Sequence, residues 1–534
     1  MRKATINKTI IVGIDLGTTY SCCYYYNTQQ NKYEAIQYMD GKTTMASCVD
    51  FNKPNLIIGV PNQYAISEVK RLIGVPFNDE HLQNEIKNNF FHYHIEQSED
   101  GYCQMKVEPY YTEETFILTP EEISSIILKK IRNEITRNLR IPMDSPIKAI
   151  VTVPAYFRDE QKERTKYAAM IAGFESVELL PEPTAAAYAY QGRNIRDGYY
   201  LAFDLGGGTF DLTIMKTSNN GENIEYVVTT GDTHLGGMDF DKNFAELIIE
   251  KWEQEEDTDM YTKQFKISGK LSPQQIKSRK LNFYRLKKVA EKTKIELSSK
   301  DNVMVDLSDF NDGEFIELFV TREDFEECNQ HLFDRCMEIT LNAIESVPYL
   351  TKDDIQEIVL IGGSSQIPKI QQMLQEEFPY ARINNKIDCN EVVAQGAAKF
   401  GKEKDEGMLS IVKEVTSHTI SLDSEDGKLP IVSSGTILPH EHQFYVSVNG
   451  TYARTELFED NVSLGTFEIK NIPVRDNYCI FSVSIDNDGL LQVYGKFSNG
   501  MIVNVKRSIA RKTTDINKLK LNKEKIDKIF LATK

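Results

Sequence analysis

The sequence predicts an α/β, two-lobed first region followed by an all-β sandwich. Leu201 to Asp211 reads Leu-Ala-Phe-Asp-Leu-Gly-Gly-Gly-Thr-Phe-Asp, an apolar run that ends in Asp204 and breaks into three glycines. Ile10 to Ser21 repeats the pattern, with Asp15-Leu16-Gly17 followed by Thr18 and Thr19. After Phe400 the composition changes to short alternating segments broken by turns. Each apolar run reads as a buried strand, and each glycine stretch as a tight turn into a second strand. Two turns this alike imply two related lobes, each offering one phosphate loop to a shared cleft. Glycine lets backbone N–H groups approach an anion because no Cβ intervenes. An aspartate beside such a loop repels a bare phosphate. A divalent cation that keeps much of its water shell is therefore expected between them.

The chain has 534 residues, room for several domains and ample core. Its net charge is −17, from 62 basic and 79 acidic residues. That field works against general nucleic-acid binding, which needs a basic footprint. No apolar run is long enough to span a bilayer, and no membrane partner is expected. The first strand begins close to Met1, which leaves no room for a secretory segment. The cysteines form no Cys-x-x-Cys pair, which argues against zinc and redox motifs and fits a reducing cytoplasm. Cys22, just past the first loop, reads as a buried structural thiol. His92/His94 and His440/His442 read as ordinary polar positions.

Strands are expected from Ile10 to about Asp50. The pair Lys70-Arg71 has, on its own, the look of a solvated surface. Pro120 to Arg140 carries apolar positions at helical spacing behind Thr119-Pro120-Glu121, a helix start. Lys148 to Pro154 is a buried strand ended by proline, and Asp159 to Gly173 a helix closed by glycine. Glu182-Pro183-Thr184 opens the alanine-rich helix Ala185 to Tyr190; the glutamate is either a cap or a catalytic carboxylate. The second lobe starts near Gly198. Gly231 to Asp241 is another glycine turn before a helix, Asn282 to Ser299 a long charged helix, and Glu357 to Pro368 strand, glycine turn and helix start. A helix N-terminus behind glycines favours a nucleotide. No Gly-x-x-x-x-Gly-Lys-Ser/Thr loop occurs, which excludes P-loop chemistry.

Beyond Phe400 a charged stretch and a short apolar linker (Leu409, Ile411, Val412, Val415) lead to alternating segments. These lie at Ile431-Val432, Phe444 to Val448, Thr466 to Ile469, Phe481 to Ile485, Leu490 to Val493 and Ile502 to Val505. Asn449-Gly450, Asn487-Asp488-Gly489 and Asn499-Gly500 mark turns. This patterning predicts an antiparallel sandwich. Lys512 to Lys534 is a polar, basic tail with one short helix, too small to fold alone.

Together these motifs resemble the seventy-kilodalton heat-shock chaperone family of the DnaK type. The segments that carry the likeness include Asp-Leu-Gly-Thr-Thr-Tyr-Ser at 15–21, Lys-Arg-Leu-Ile-Gly at 70–74, Val-Pro-Ala-Tyr-Phe at 153–157 and Glu-Pro-Thr-Ala-Ala-Ala at 182–187. Further matches are Asp-Leu-Gly-Gly-Gly-Thr-Phe-Asp at 204–211, Gly-Asp-Thr-His-Leu-Gly-Gly at 231–237, Glu-Leu-Ser-Ser at 296–299 and Ile-Gly-Gly-Ser at 361–364. The resemblance implies an actin-like (ribonuclease H-like) ATPase domain at 1–400, a linker at 401–415, a peptide-binding β-sandwich at 416–511 and a tail at 512–534, a remnant of the start of a helical lid. It also implies site residues. Asp15 and Asp204 would orient Mg²⁺ through water. Gly17, Thr18, Thr19 and Tyr20, with Gly207, Gly208 and Thr209, would cradle the phosphates. Lys70 would stabilise charge on the γ-phosphate and help hold the attacking water. Glu182 would organise metal-bound water and, with Pro154, relay nucleotide state. Thr209 and Asp211 would hold water or K⁺. Gly237, Glu291, Lys294 and Ser298, with Gly363, Ser364, Ser365 and Gln366, would bind the nucleotide on its adenosine side. The match moves Lys70 from the surface into the site.

Departures from the family pattern are Ile295 and Gln366 where arginines often stack on adenine, Lys162 in place of an interdomain arginine, and Ser410-Ile411-Val412-Lys413 in place of a leucine linker. The altered linker is expected to dock poorly on the ATPase domain. Gln443 to Asn461, which helps line the peptide groove, is shorter than usual, and so is the approach to Asn477–Ile480. The resemblance to a lid covers only Leu521 to Ile529, so a lidless member is expected. The resemblance implies an ATP-dependent cytoplasmic chaperone for extended apolar segments of unfolded or nascent chains, slowly hydrolysing ATP to ADP and phosphate with Mg²⁺ and K⁺. A J-domain cochaperone and a nucleotide exchange factor are its implied partners. Lys70, Asp204 and Thr209 favour that reading. The altered linker and trimmed groove favour the alternative, an ATP-binding scaffold in a cochaperone or ribosome-associated complex with little client binding. The C-terminal sandwich weakens a third reading, a sugar or acetate kinase on the same fold.

Overall fold

The computed structural model describes residues 9–52, 55–88, 90–109, 115–190, 197–219, 223–255, 262–265, 271–310, 315–384, 388–408, 411–424, 427–473, 477–497, 500–503, 505–507 and 515–531. In the first lobe β1 (Ile10–Leu16) pairs antiparallel with β2 (Tyr20–Asn27), and β2 with β3 (Lys32–Ala35). On the other side of β1 lie β4 (Ile147–Val153) and β5 (Ser176–Pro181), both parallel, giving the order β5-β4-β1-β2-β3. The second lobe repeats the plan. Here β6 (Gly198–Leu205), β7 (Phe210–Ser218) and β8 (Asn223–Asp232) form the antiparallel part. Parallel strands β9 (Ile355–Ile361) and β10 (Arg382–Asn384) complete the order β10-β9-β6-β7-β8. The central strands are covered on both faces, which is why they read as continuous apolar runs rather than alternating ones.

Register places both glycine stretches alike. Leu16 faces Ser21 across the first hairpin and Leu205 faces Phe210 across the second. Gly17–Thr19 and Gly206–Thr209 are therefore the turns at the carboxyl ends of the two central strands, where open α/β sheets present their ligands.

Helices fall where local signals put them. Helix α1 (Pro120–Leu139) starts with proline at its first position, and the Glu122 carboxylate accepts from Thr119 N–H at 3.0 Å. Helix α2 (Asp159–Ala172) stops at Gly173, whose φ of 93° is the left-handed geometry glycine tolerates. Helix α3 (Glu182–Tyr190) is alanine-rich and wholly buried. Helix α4 (Gly237–Glu255) follows the glycine turn after β8. Helix α5 (Pro273–Leu297) starts earlier than the expected Asn282, behind the capping Ser272 with Pro273 at its first position. Helix α6 (Val392–Asp405) runs past Phe400 and crosses α3 between the lobes.

Beyond α6, Ile411–Lys413 forms β11, which pairs in parallel with β8 through Asn223↔Ile411, Ile224↔Val412 and Glu225↔Lys413. The linker thus docks on the second lobe, against the expectation from its altered sequence; Ser410 lies outside the described residues. Strand addition uses main-chain bonds and asks only that Val412 pack beside Ile224 and Tyr226, so Lys413 does not prevent it.

The C-terminal region is a sandwich. One sheet has the order Gly427–Val432, Ile420–Ser424, Tyr452–Glu459, Val462–Lys470, Lys506–Arg507. The other has His440–Ser447, Tyr478–Ile485, Leu491–Lys496, Ile502–Val503. Leu457, Phe467, Ile469, Phe481 and Val483 are in the core between them. The sandwich rests on the first lobe. Asp159 N–H donates to Glu459 at 3.1 Å, Leu491 N–H to Asp159 Oδ1 at 2.7 Å, and Ser417 Oγ to Ala155 O at 2.5 Å. The tail helix, α7 (Ile516–Leu531), inserts Ile526 and Ile529 into the first-lobe core and pairs Lys525 with Glu122 at 2.8 Å. Among the described residues no helix is long and apolar enough to cross a membrane.

Candidate functional site

The two turns face each other across one cavity of about 920 Å³. Gly17, Thr18, Thr19 and Tyr20 line it from the first lobe, Gly206, Gly207 and Thr209 from the second. A side chain at these glycines would force a neighbour to shift. A Cβ on Gly207 would stand 2.0 Å from Thr19 Oγ1, and one on Gly17 2.1 Å from Tyr20 O. Thr19 Oγ1 is buried and has no hydrogen-bond partner among the described residues, so it is left for a ligand. The N-terminus of α4 is fastened to the second turn, with Gly237 N–H on Gly206 O at 3.0 Å and Met238 N–H on Gly207 O at 2.9 Å.

Asp15 is the next-to-last residue of β1 and Asp204 the next-to-last of β6, so each carboxylate stands at the mouth of its turn. Lys70 sits on the single turn Val69–Arg71 and is only 8 % exposed. Its Nζ donates to Glu182 Oε1 at 2.7 Å. The sequence left Glu182 open between cap and catalytic carboxylate; the structure puts its side chain on Lys70. Burial works against the lysine's charge, but Glu182 and Asp15 outweigh it and hold the ammonium above its ordinary range. Burial and Glu182 push Asp15 up to about 7, and the same two causes raise Asp204 well above the usual carboxylate range. Around Lys70, the carboxylates Asp15, Asp204 and Glu182 crowd together, and two of them are held up by burial and by that crowding. Among the described residues no three His, Cys, Asp or Glu are set to ligate a metal directly.

Asp211 is one layer back. Its Oδ1 accepts from Tyr156 N–H at 2.9 Å, and burial followed by Glu182 pushes it up to about 7. Glu291, Lys294, Ser298, Gly363, Ser364 and Gln366 line the second-lobe side of the cavity. Ser365 does not line it; its hydroxyl donates to Gly362 O at 2.7 Å. Gly208 turns its carbonyl to Arg71. Sequence reasoning missed Asp241, which pairs with Lys294 at 2.7 Å and is raised by burial to about 6. It also missed His92. Its ring packs 4.0 Å from Tyr284, while Lys287 Nζ donates to Phe90 O at 2.8 Å, so Phe90–His92 meets α5 across the cleft. Burial, then Lys287, pushes His92 down to about 3. Nothing in the spacing of His92 and His94 announces this.

Comparison with known proteins agrees with the geometry. A family model described as Hsp70 protein matches residues 11–530. The heat shock cognate 70 kDa protein 3 of Dictyostelium discoideum is 31% identical over 513 residues, covering 90% of this chain and 77% of that protein. A ribosome-associated molecular chaperone of Saccharomyces cerevisiae is 31% identical over 532 residues, covering 92% of this chain and 82% of that protein. With paired phosphate turns in two like lobes, a docked sandwich and a family match that runs through all of them, the chain belongs to the Hsp70 family.

Proposed function

We propose that ATP is cleaved in the cavity between the two glycine turns, with Lys70 as the cation that meets charge developing on the γ-phosphate. As a member of the Hsp70 family the chain is an ATPase and an ATP-dependent chaperone that binds unfolded polypeptides. The observation that carries the site assignment is the buried Lys70–Glu182 pair set between two aspartate-bearing phosphate turns. Backbone N–H groups of both turns and the Thr19 hydroxyl hold the phosphates. Asp15 and Asp204 would hold a hydrated Mg²⁺, which would supply positive charge to the phosphate oxygens. Thr209 and Asp211 would hold water or K⁺. Glu182 keeps Lys70 charged and aimed. Such a site works by positioning and electrostatics, as phosphoryl transfer requires.

The sandwich takes extended apolar segments of unfolded or nascent chains by main-chain bonds and an apolar pocket. Domain limits of 1–400, 401–415, 416–511 and 512–534, a cytoplasmic location, and a J-domain cochaperone and exchange factor as partners complete the proposal. Lys70→Ala tests its centre. A charge that acts mainly in the transition state affects rate more than affinity, so ATP binding should hold while turnover falls roughly a hundredfold. Equal turnover in variant and wild type would remove Lys70 from the chemistry.

A further inference from the structure

The residue after Lys70 was the unexplained half of a basic pair, and the structure gives it a full set of partners. Arg71 is 2 % exposed. It extends from the first lobe into the second. Its Nε donates to Gly208 O at 3.0 Å, and its Nη1 to Asp239 Oδ1 at 3.1 Å and to Glu85 Oε1 at 2.9 Å. Its Nη2 closes the fork on Asp239 Oδ2. The guanidinium lies 4.8 Å from the centre of the Phe90 ring. Asp239 is in the first turn of α4 and also accepts from Gly236 N–H at 2.8 Å. Gly236 is pressed on the second phosphate turn, where a Cβ would stand 2.6 Å from Gly208 N. Arg71 therefore holds the turn and the helix start behind it as one unit. On its own side it is one peptide from Lys70, in a tight turn that opens at Glu68 with φ 65°.

We propose that Arg71 is a positioning residue for hydrolysis: it ties the turn that carries Lys70 to the phosphate turn of the opposite lobe, and so sets where Lys70 stands in the closed cleft. The inference rests on the reading of Lys70 as the transition-state cation. Lysine cannot stand in for Arg71. A compact ammonium does not make a parallel fork to a carboxylate while a third N–H reaches a carbonyl. An inter-lobe ion pair with only a structural role changes stability and cleft opening. It leaves cleavage of ATP already bound in the site alone.

The test is single-turnover cleavage of pre-bound ATP by the full chain, with ATP affinity measured on each variant. Arg71→Lys should slow cleavage about tenfold or more, since small misplacements of a catalytic group are costly, while affinity changes less than about threefold. Asp239→Asn, which removes the fork but keeps the arginine, should slow it by a smaller factor; it carries the test should Arg71→Lys not fold. In a Lys70→Ala background Arg71→Lys should add less than about twofold, because the group it positions is gone. Cleavage at wild-type speed in both Arg71→Lys and Asp239→Asn, with Lys70→Ala slow, overturns this inference alone. An equal slowing by Arg71→Lys with and without Lys70 overturns it too. Wild-type cleavage by Lys70→Ala overturns the reading of Lys70 and this inference with it.

Discussion

Ile295 stands 62 % exposed on the cavity wall, and Gln366 is exposed on the same cavity. An exposed aliphatic side chain there offers a flat contact for a base but no charge. A guanidinium stacked on an aromatic ring contributes on the order of 1 kcal/mol when partly desolvated, about fivefold in affinity. Gln366→Arg is therefore expected to tighten ATP binding about fivefold by calorimetry and to slow release by a similar factor. Unchanged affinity would place the adenine away from this position. Single residues are legible in the sequence when a neighbour advertises them. Asp15, Asp204 and the glycines announce themselves by their turns. Lys70 and Arg71 do not, because a basic pair looks the same on a surface as in a cleft, and only the family likeness moves Lys70 inward. Asp241 reads as no more than part of a turn. Its partner Lys294 lies 53 positions along the chain, a pairing that no local pattern encodes.

The elements that are easiest to read are those whose burial is one-sided or complete over a whole run. β1, β6 and the second half of β9 are near-continuous apolar runs, and α1 and α2 carry their own start and stop signals. Tyr452–Glu459 was missed because its inward positions include Ala453, Thr455 and Glu459, which look polar or small without the opposite sheet. The crossing of α3 and α6 was also invisible, since it depends on a glycine whose role is distance. A Cβ on Gly396 would stand 1.6 Å from Ala185 O. Glycine to alanine inside a helix normally stabilises by roughly 0.5–1 kcal/mol. Here the sign should reverse, because the two backbones must separate. Gly396→Ala is expected to cost about 1–3 kcal/mol and lower Tm by several degrees. A Tm equal to or above wild type would show that the helices do not meet at this residue.

Over the whole molecule, linker, sandwich and tail helix all close onto the ATPase lobes, and the junction buries acids. Glu414, just after β11, accepts from Thr184 Oγ1 at 3.0 Å. Burial pushes its carboxyl up to about 7; Thr184 and Lys162 act the other way, Asp488 adds to the rise, and Lys404 opposes it. Tyr188 and Tyr226 complete its surroundings. Glu459 is likewise raised, by burial first and then by Asp159, against His418, Lys162 and the Asp159 N–H. Undocked, both carboxyls return to water and to an ordinary value of about 4.3. A carboxyl whose pKa is higher docked than undocked favours docking when protonated. For Glu414 that contribution is complete below about pH 4.3 and is lost as pH rises through about 7; Glu459 acts in the same direction. The docked arrangement should thus weaken on the order of tenfold between about pH 5.5 and pH 8 at fixed nucleotide concentration. His418 spans the same seam, with Nε2 2.9 Å from Tyr156 O and Nδ1 2.7 Å from Asp460 Oδ2. Small-angle scattering would read the change as a radius of gyration that grows with pH. Glu414→Gln, which cannot ionise, should keep the compact radius across much more of the range. A wild-type radius that stays constant, or that grows as pH falls, would mean that these carboxyls do not control how the sandwich sits on the lobes.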